Sequence, residues 1–263
     1  MNNQSPTQPV DILGIPFENT TEKDFQAILH NVINQHQNTF VVTANPEIVM
    51  YAKANPDYEK LITTADYIVP DGIGIIMGAK MLKTPLKERV TGYDLFVHLL
   101  EWGNANQKSA YFVGAQPAVI RKLKKVVQEN YPFLTIAGTH DGYFGDDRNI
   151  VHDIKRTQPD MVFVATGYPK QEAFINKNRR AADALWIGIG GSFDVLAGTV
   201  KRAPKAWQKM HLEWLYRVVK EPSRFGRLMV LPKYLWQIVK QKYSRKSGRA
   251  QWRKFHRSFG PIF

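Results

Sequence analysis

The sequence predicts an α/β fold: a mostly parallel, Rossmann-like sheet with helices on both faces, plus a basic helical C-terminal appendage. Three observations predict it. Between residues 10 and 189, short β-branched runs of strand length alternate with amphipathic stretches of helix length. The strand runs are mostly apolar, as strands covered on both faces are, and parallel neighbours need a crossover between them. After Gly198 the texture changes: residues 201–263 hold seventeen Lys and Arg against only Glu213 and Glu221, a net +15, so the preceding residues carry about −2 of the chain's +13.

Taken in order, Val10–Ile15 is the first expected strand and Glu22–Gln35 the first amphipathic helix. Phe40–Thr43 follows as a strand, running into Ala44-Asn45-Pro46-Glu47 and a helix over Pro46–Lys53. Tyr67–Val69 is a strand that ends in Pro70-Asp71-Gly72-Ile73-Gly74, and Asp94–Trp102 is helical. The strand Ala110–Val113 stops at Gly114 before the helix Pro117–Glu129. Leu134–Ala137 leads to Gly138-Thr139-His140-Asp141-Gly142-Tyr143, then the helix Arg148–Arg156. Met161–Ala165 ends at Thr166-Gly167-Tyr168-Pro169-Lys170-Gln171-Glu172, where the helix Lys170–Arg180 opens. Leu185–Ile189 ends at Gly190-Gly191-Ser192-Phe193-Asp194. Beyond it, Trp207–Lys220 and Leu228–Lys242 read as helices that interleave aromatics with cations.

At 263 residues the chain holds one sizeable domain and an extension. The expected division is a catalytic domain over 1–199, a helical appendage over 200–242 and a basic tail over 243–263 whose composition is compatible with disorder. The domain's own sheet is expected to hold most of the core. There is no cysteine, which excludes disulfides and thiolate metal sites and fits a reducing cytosol. The N-terminal residues lack a basic segment followed by an apolar run, so no signal peptide is expected. Nothing approaches the ~20 apolar residues of a membrane span, so membrane contact is expected to be peripheral.

Strand ends are where such folds bind ligands, and here they carry the least ordinary residues. Asp71 follows a strand directly. It reads as a turn or N-cap aspartate, or as a general base that accepts a proton from an attacking hydroxyl. Thr43 and Asn45 end a strand and open a helix; Asn45 caps it, and a capped N-terminus also offers backbone N–H groups to an anion. Lys170 and Gln171 stand at a strand–turn–helix junction where a diphosphate or sugar can bind, although the spacing is not that of a P-loop. Gly188–Gly191 has the look of a glycine-rich phosphate loop. Asp194 either caps the next helix or accepts hydrogen bonds from a ribose or an imide N–H. Arg89, isolated after a loop, reads as solvated. The seven histidines show no ligand spacing, and no G-x-S-x-G is present. In the tail, Arg224 and Arg227 share a helix face, and cations beside Trp207, Trp214, Trp236 and Trp252 suit an anionic membrane interface.

Together these motifs resemble the WecG/TagA/CpsF glycosyltransferases. The matching stretches are Thr-Ala-Asn-Pro-Glu (43–47), Ala-Asp-Tyr-Ile-Val-Pro-Asp-Gly-Ile-Gly (65–74), Glu-Arg-Val-Thr-Gly (88–92), Gly-Tyr-Pro-Lys-Gln-Glu (167–172), Gly-Ile-Gly-Gly-Ser-Phe-Asp (188–194) and Arg-Ala-Pro (202–204). The segment Glu-Trp-Leu-Tyr-Arg…Glu-Pro-Ser-Arg…Arg matches as well, so the likeness covers roughly residues 10–240 in order. The resemblance implies an inverting transferase, nearest the teichoic-acid branch, that moves N-acetylmannosamine from UDP to the 4-hydroxyl of GlcNAc on undecaprenyl diphosphate. It implies Asp71 as the base, Thr43 and Asn45 near the sugar and diphosphate, Arg89 and Gln171 in the catalytic set, and nucleotide contacts at Gly114, Gly142, Tyr143 and Asp194. It implies that Arg217, Arg224 and Arg227 close over the site.

No cofactor and no metal are expected, since arginines can supply the donors that a departing UDP requires. The expected partners are a UDP-sugar, a polyprenyl-diphosphate-linked acceptor and an anionic membrane surface, at the inner face of the cell membrane; nucleic acid is not expected. A homo-oligomer is compatible with the sequence. Three competing readings stay open: another UDP-sugar such as the uronate or a hexose, a nucleic-acid-binding protein with a basic tail, and an epimerase. The missing GxGxxG at the first strand counts against the last.

Overall fold

The computed structural model describes residues 8–210, 212–220, 226 and 229–258, with backbone alone at Lys209, Arg217 and 245–258. In chain order the elements are β1 (Val10–Ile12), β2 (Ile15–Phe17), α1 (Glu22–Asn34), β3 (Thr39–Ala44), α2 (Pro46–Ala54), α3 (Pro56–Ile62) and β4 (Tyr67–Pro70). Next come α4 (Ile73–Met81), α5 (Gly92–Ala105), β5 (Ser109–Gly114), α6 (Pro117–Asn130), β6 (Thr135–His140) and α7 (Arg148–Thr157). The rest are β7 (Met161–Ala165), α8 (Lys170–Asn178), β8 (Leu185–Gly188), α9 (Ser192–Leu196), α10 (Lys205–Lys209), α11 (Glu213–Lys220) and α12 (Val230–Ser258).

Six strands form one sheet in the order β4-β3-β8-β7-β5-β6, every neighbouring pair parallel. The strand alternation divides the core into two layers. Phe40, Val42, Tyr111, Val113, Val162, Val164 and Trp186 face the layer that includes α2, α4, α7 and α8. Val41, Val69, Phe112, Phe163, Leu185 and Ile187 face the layer that includes α1, α5 and α6. A mostly parallel sheet covered on both faces is therefore what the apolar runs encode.

The first expected strand is a correction. Val10–Ile15 is a hairpin, β1 pairing antiparallel with β2 so that Ile12 faces Ile15. Its two-residue turn places Leu13 at φ 54° and Gly14 at φ 92°, the left-handed pair that a tight hairpin needs to match strand twist. Three helices escape a reading by amphipathic period: α3, α4 and α9. The expected helix over Trp207–Lys220 is two pieces, α10 and α11, joined where the Leu212 N–H donates to the Trp207 carbonyl at 2.8 Å.

Helix α12 is seated on the body. Tyr234 and Ile238 are fully buried within the α2/α4 layer. Gly78 of α4 makes room for them: a Cβ there would stand 2.2 Å from the Tyr234 hydroxyl oxygen and 3.2 Å from Ile238 Cδ1. Gln241 Nε2 donates to Asp11 Oδ1 at 2.6 Å, and its Oε1 accepts from the Leu13 N–H at 3.1 Å, tying the helix to the hairpin turn. The helix continues past Lys242 to Ser258.

Candidate active site

All six parallel strands end on one edge, at Ala44, Pro70, Gly114, His140, Ala165 and Gly188. Asp71 stands there, its N–H donating to the Ala44 carbonyl at 2.9 Å so that the chain leaves β4 beside the end of β3. Gly72 follows at φ 108°, a conformation that disfavours any side chain, and it lets α4 start immediately after Asp71. The N–H of Gly92, first residue of α5, approaches Asp71 Oδ2 at 3.4 Å. A helix N-terminus favours a negative charge beside it, so the arrangement suits an ionised carboxylate that can take a proton.

Asn45 does cap α2: its Oδ1 accepts from the Ile48 N–H at 3.0 Å. Thr43 is 7% exposed and donates its hydroxyl to the Gly188 carbonyl at 3.0 Å, stitching β3 to β8. Gln171 is also buried, and it lies over Gly188, where a Cβ would stand 2.8 Å from Gln171 Nε2. Gln171 Oε1 accepts from the Gly190 N–H at 3.0 Å, and its Nε2 donates to Glu172 Oε1 at 2.7 Å. Gln171 thus holds the glycine-rich turn after β8, while Lys170 points outward and is exposed. Glu172 is 1% exposed, and burial raises its pKa above the usual carboxylate value despite the hydrogen bond from Gln171. Its Oε2 and the Tyr58 hydroxyl are both buried and interact with each other. Across the same edge the Tyr168 hydroxyl donates to Glu47 Oε2 at 3.2 Å, and the peptide bond between Tyr168 and Pro169 is cis.

Arg89 differs from the expectation of a solvated side chain. It is 18% exposed and its Nη1 donates to Glu213 Oε2 at 3.1 Å, joining the 88–92 loop to α11. Glu213 Oε1 accepts from Arg202 Nε at 3.1 Å, and Arg202 meets Asp94 with both terminal nitrogens, at 2.6 and 3.0 Å. Burial pushes the Asp94 pKa up, but the hydrogen bonds from Arg202 and Thr91 and the Arg202 charge outweigh it and hold it below the ordinary aspartate value.

Gly114, Gly142 and Tyr143 share a corner of the edge. The Gly142 N–H donates to the Ala115 carbonyl at 2.8 Å, and the Tyr143 ring is 72% exposed beside it. Asp194 does not cap a helix; it lies inside α9, and its carbonyl accepts from Thr199 and Val200 at 3.0 and 3.1 Å. A cleft of about 370 Å³, lined by Thr199, Val200, Lys201, Tyr216 and Lys220, opens between this loop and α11. Arg217 lies on α11; Arg224 and Arg227 lie outside the described residues. Among the described residues no group of three or more His, Cys, Asp or Glu is placed to hold a metal ion.

Sequence reasoning missed Glu172, Glu213, Asp94 and Arg202. Three of them had a signal. Arg202 opens the matching stretch 202–204, Glu213 is one of only two acids in the basic segment, and Glu172 ends a motif whose other polar residues were singled out.

An edge of this kind, with one carboxylate between two strand ends and a helix N-terminus, defines an α/β enzyme working on ligands at the carboxyl ends of its strands. The profile of the glycosyl transferase WecG/TagA/CpsF family matches residues 10–248, and the chain belongs to that family. A relative from Bacillus spizizenii strain W23, an N-acetylglucosaminyldiphosphoundecaprenol N-acetyl-beta-D-mannosaminyltransferase, is 45% identical over 79% of this chain and 81% of its own. Proteins of the same name from Bacillus subtilis strain 168 and Staphylococcus aureus strain MW2 are each 38% identical. They cover 91% and 94% of this chain and 94% and 98% of their own lengths.

Proposed function

We propose that this protein transfers N-acetylmannosamine from UDP to the 4-hydroxyl of GlcNAc carried on undecaprenyl diphosphate, with inversion. The names of the relatives support the donor sugar and acceptor. The observation that carries the chemistry is Asp71, held at the ligand edge with the α5 N-terminus at its Oδ2. In the step, the acceptor oxygen attacks the anomeric carbon and the bond from that carbon to the UDP oxygen breaks. The hydroxyl proton passes to Asp71. Negative charge grows on the departing diphosphate, and preorganised cationic donors stabilise it most where water is scarce. Arg217, Arg224 and Arg227 are assigned that task, with Lys201 and Lys220 flanking the neighbouring cleft. Thr43, Asn45 and Gln171 shape the sugar side, and Gly114, Gly142, Tyr143 and Asp194 the nucleotide side.

The acceptor is a membrane lipid, so the basic segment doubles as an anchor at the inner face. Trp236 and Tyr243 are 55% and 63% exposed, and the Lys240 ammonium lies 3.7 Å from the Trp236 ring centroid. Exposed aromatics with cations suit a headgroup region. Among the described residues no helix is long and apolar enough to cross a membrane. The competing nucleic-acid reading rests on the same basic residues and interleaved aromatics.

The test is incubation with UDP-ManNAc, its uronate and UDP-hexoses, each with a short-chain lipid-diphosphate-GlcNAc analogue, reading UDP release and product mass. UDP release with a product heavier by one N-acetylhexosamine, only from UDP-ManNAc and undiminished by EDTA, is expected. Transfer from a different donor would overturn the sugar assignment, and loss with EDTA rescued by magnesium or manganese would overturn metal independence.

A further inference from the structure

We propose that Glu213 registers the appendage on the body: it is a positioning residue that sets α11 and Arg89 relative to Asp71. The inference rests on the reading that residues beyond 200 complete the active site. Glu213 is the first residue of α11 and is 14% exposed, and each of its oxygens accepts from a different arginine. Arg89 comes from the 88–92 loop and Arg202 from the start of the appendage. Arg202 is itself held bidentately by Asp94 of α5, with its guanidinium 4.7 Å from the Tyr93 ring centroid. Asp94 in turn accepts from the Thr91 hydroxyl, and the next residue, Gly92, directs its N–H at Asp71. Charges alternate along this chain: Arg89, Glu213, Arg202, Asp94.

Two features make the cluster more than a surface ion pair. First, all four side chains are at most 31% exposed, so the charges are poorly screened and removing one leaves another unmet. Second, Glu213 is the acid that the described part of a strongly positive segment presents to the body. With Glu213 neutralised, Arg89 and Arg202 would face each other across the joint, and Asp94 and the neighbouring Glu22 would be left as counter-charges. The segment would then lose the contact that orients it, while α12 stayed fixed elsewhere by Tyr234 and Gln241.

The experiment uses the full chain with Glu213→Gln, Arg202→Gln and the double variant. Backbone amide exchange is followed over Tyr216–Lys220 and over the core strands β3, β5 and β7. Turnover of a short-chain, water-soluble acceptor is measured alongside. Exchange in α11 is expected to rise about tenfold or more in each single variant, with the double variant close to the worse single one, because both residues serve one network. Core-strand exchange stays as in the wild type, which separates loss of registration from unfolding. Turnover falls through kcat more than through the KM for UDP-sugar. Wild-type protection of α11 in both single variants would overturn the proposal, whatever the activity. Loosened α11 with wild-type turnover would leave Glu213 as the register and overturn the reading that the appendage completes the site.

Discussion

Gly78→Ala decides whether α12 sits where it is described, because the sign of its effect depends on that seat. In a helix with free space above it, replacing glycine by alanine stabilises by about 1 kcal/mol, through lower chain entropy in the unfolded state. At Gly78 the added methyl would stand 2.2 Å from the Tyr234 hydroxyl oxygen, 3.0 Å from Cζ and 3.2 Å from Ile238 Cδ1. Tyr234 is fully buried, so it must shift or leave; overpacking of this kind costs about 1–3 kcal/mol. At roughly 2–4 °C per kcal/mol for a domain of this size, the melting midpoint should fall by roughly 2–12 °C. The assay is a thermal melt of the full chain, with amide exchange at Tyr234–Gln241 as a local check. Tyr234→Ala empties the seat, and in that background Gly78→Ala should raise the midpoint instead. A higher midpoint for Gly78→Ala in the otherwise unchanged chain would show that α12 does not pack on α4.

Two further expectations concern one buried and one partly buried polar group. Glu172→Leu removes the acceptor for Gln171 Nε2 and leaves a buried donor unmet, at about 1–3 kcal/mol. The KM for the UDP-sugar should rise as the Gly190 turn loosens, whereas Glu172→Gln keeps an acceptor oxygen and should be milder; equal effects of the two would refute the hydrogen-bonding role. His30 faces His98 across 2.9 Å, and burial first, then the charge of His98, lowers its pKa from 6.5 to about 4. The unfolded chain therefore takes up a proton near 6.5 that the folded chain refuses until about 4. The pair's stabilisation is complete above 6.5 and is lost as pH falls towards 4. Solvent screening limits it to ~1 kcal/mol, so His30→Asn should shrink the difference in melting midpoint between pH 7 and pH 5 by about 2–4 °C. An unchanged difference would count against the pair.

The parallel sheet was legible because all its strands but β6 are largely apolar on both faces, and the strand ends were legible because Asp71, Asn45 and Gln171 interrupt those runs. What escaped has physical causes. Helix α4, Ile-Gly-Ile-Ile-Met-Gly-Ala-Lys-Met, is apolar nearly all round, so no amphipathic period marks it, and Pro-Asp-Gly before it reads as a turn. Val10–Ile15 hides a reversal because a leucine, Leu13, takes a left-handed conformation that composition does not announce. The charge of the C-terminal segment was plain, but charge says nothing of where a helix docks; that is set by Tyr234 and Ile238 filling the space over Gly78. Arg89 and Glu213 are 124 residues apart, and only the fold brings them together.

The measurement that bears most directly on the central claim is the turnover of Asp71→Asn. Asparagine keeps the size of the side chain and can still accept from the Gly92 N–H, but it cannot take a proton from the acceptor hydroxyl. With saturating UDP-ManNAc and a soluble acceptor, kcat should fall ~10²-fold or more while the Kd for UDP stays within about twofold. Turnover close to that of the unaltered protein, with UDP still bound, would contradict the account and move the base elsewhere on the strand edge.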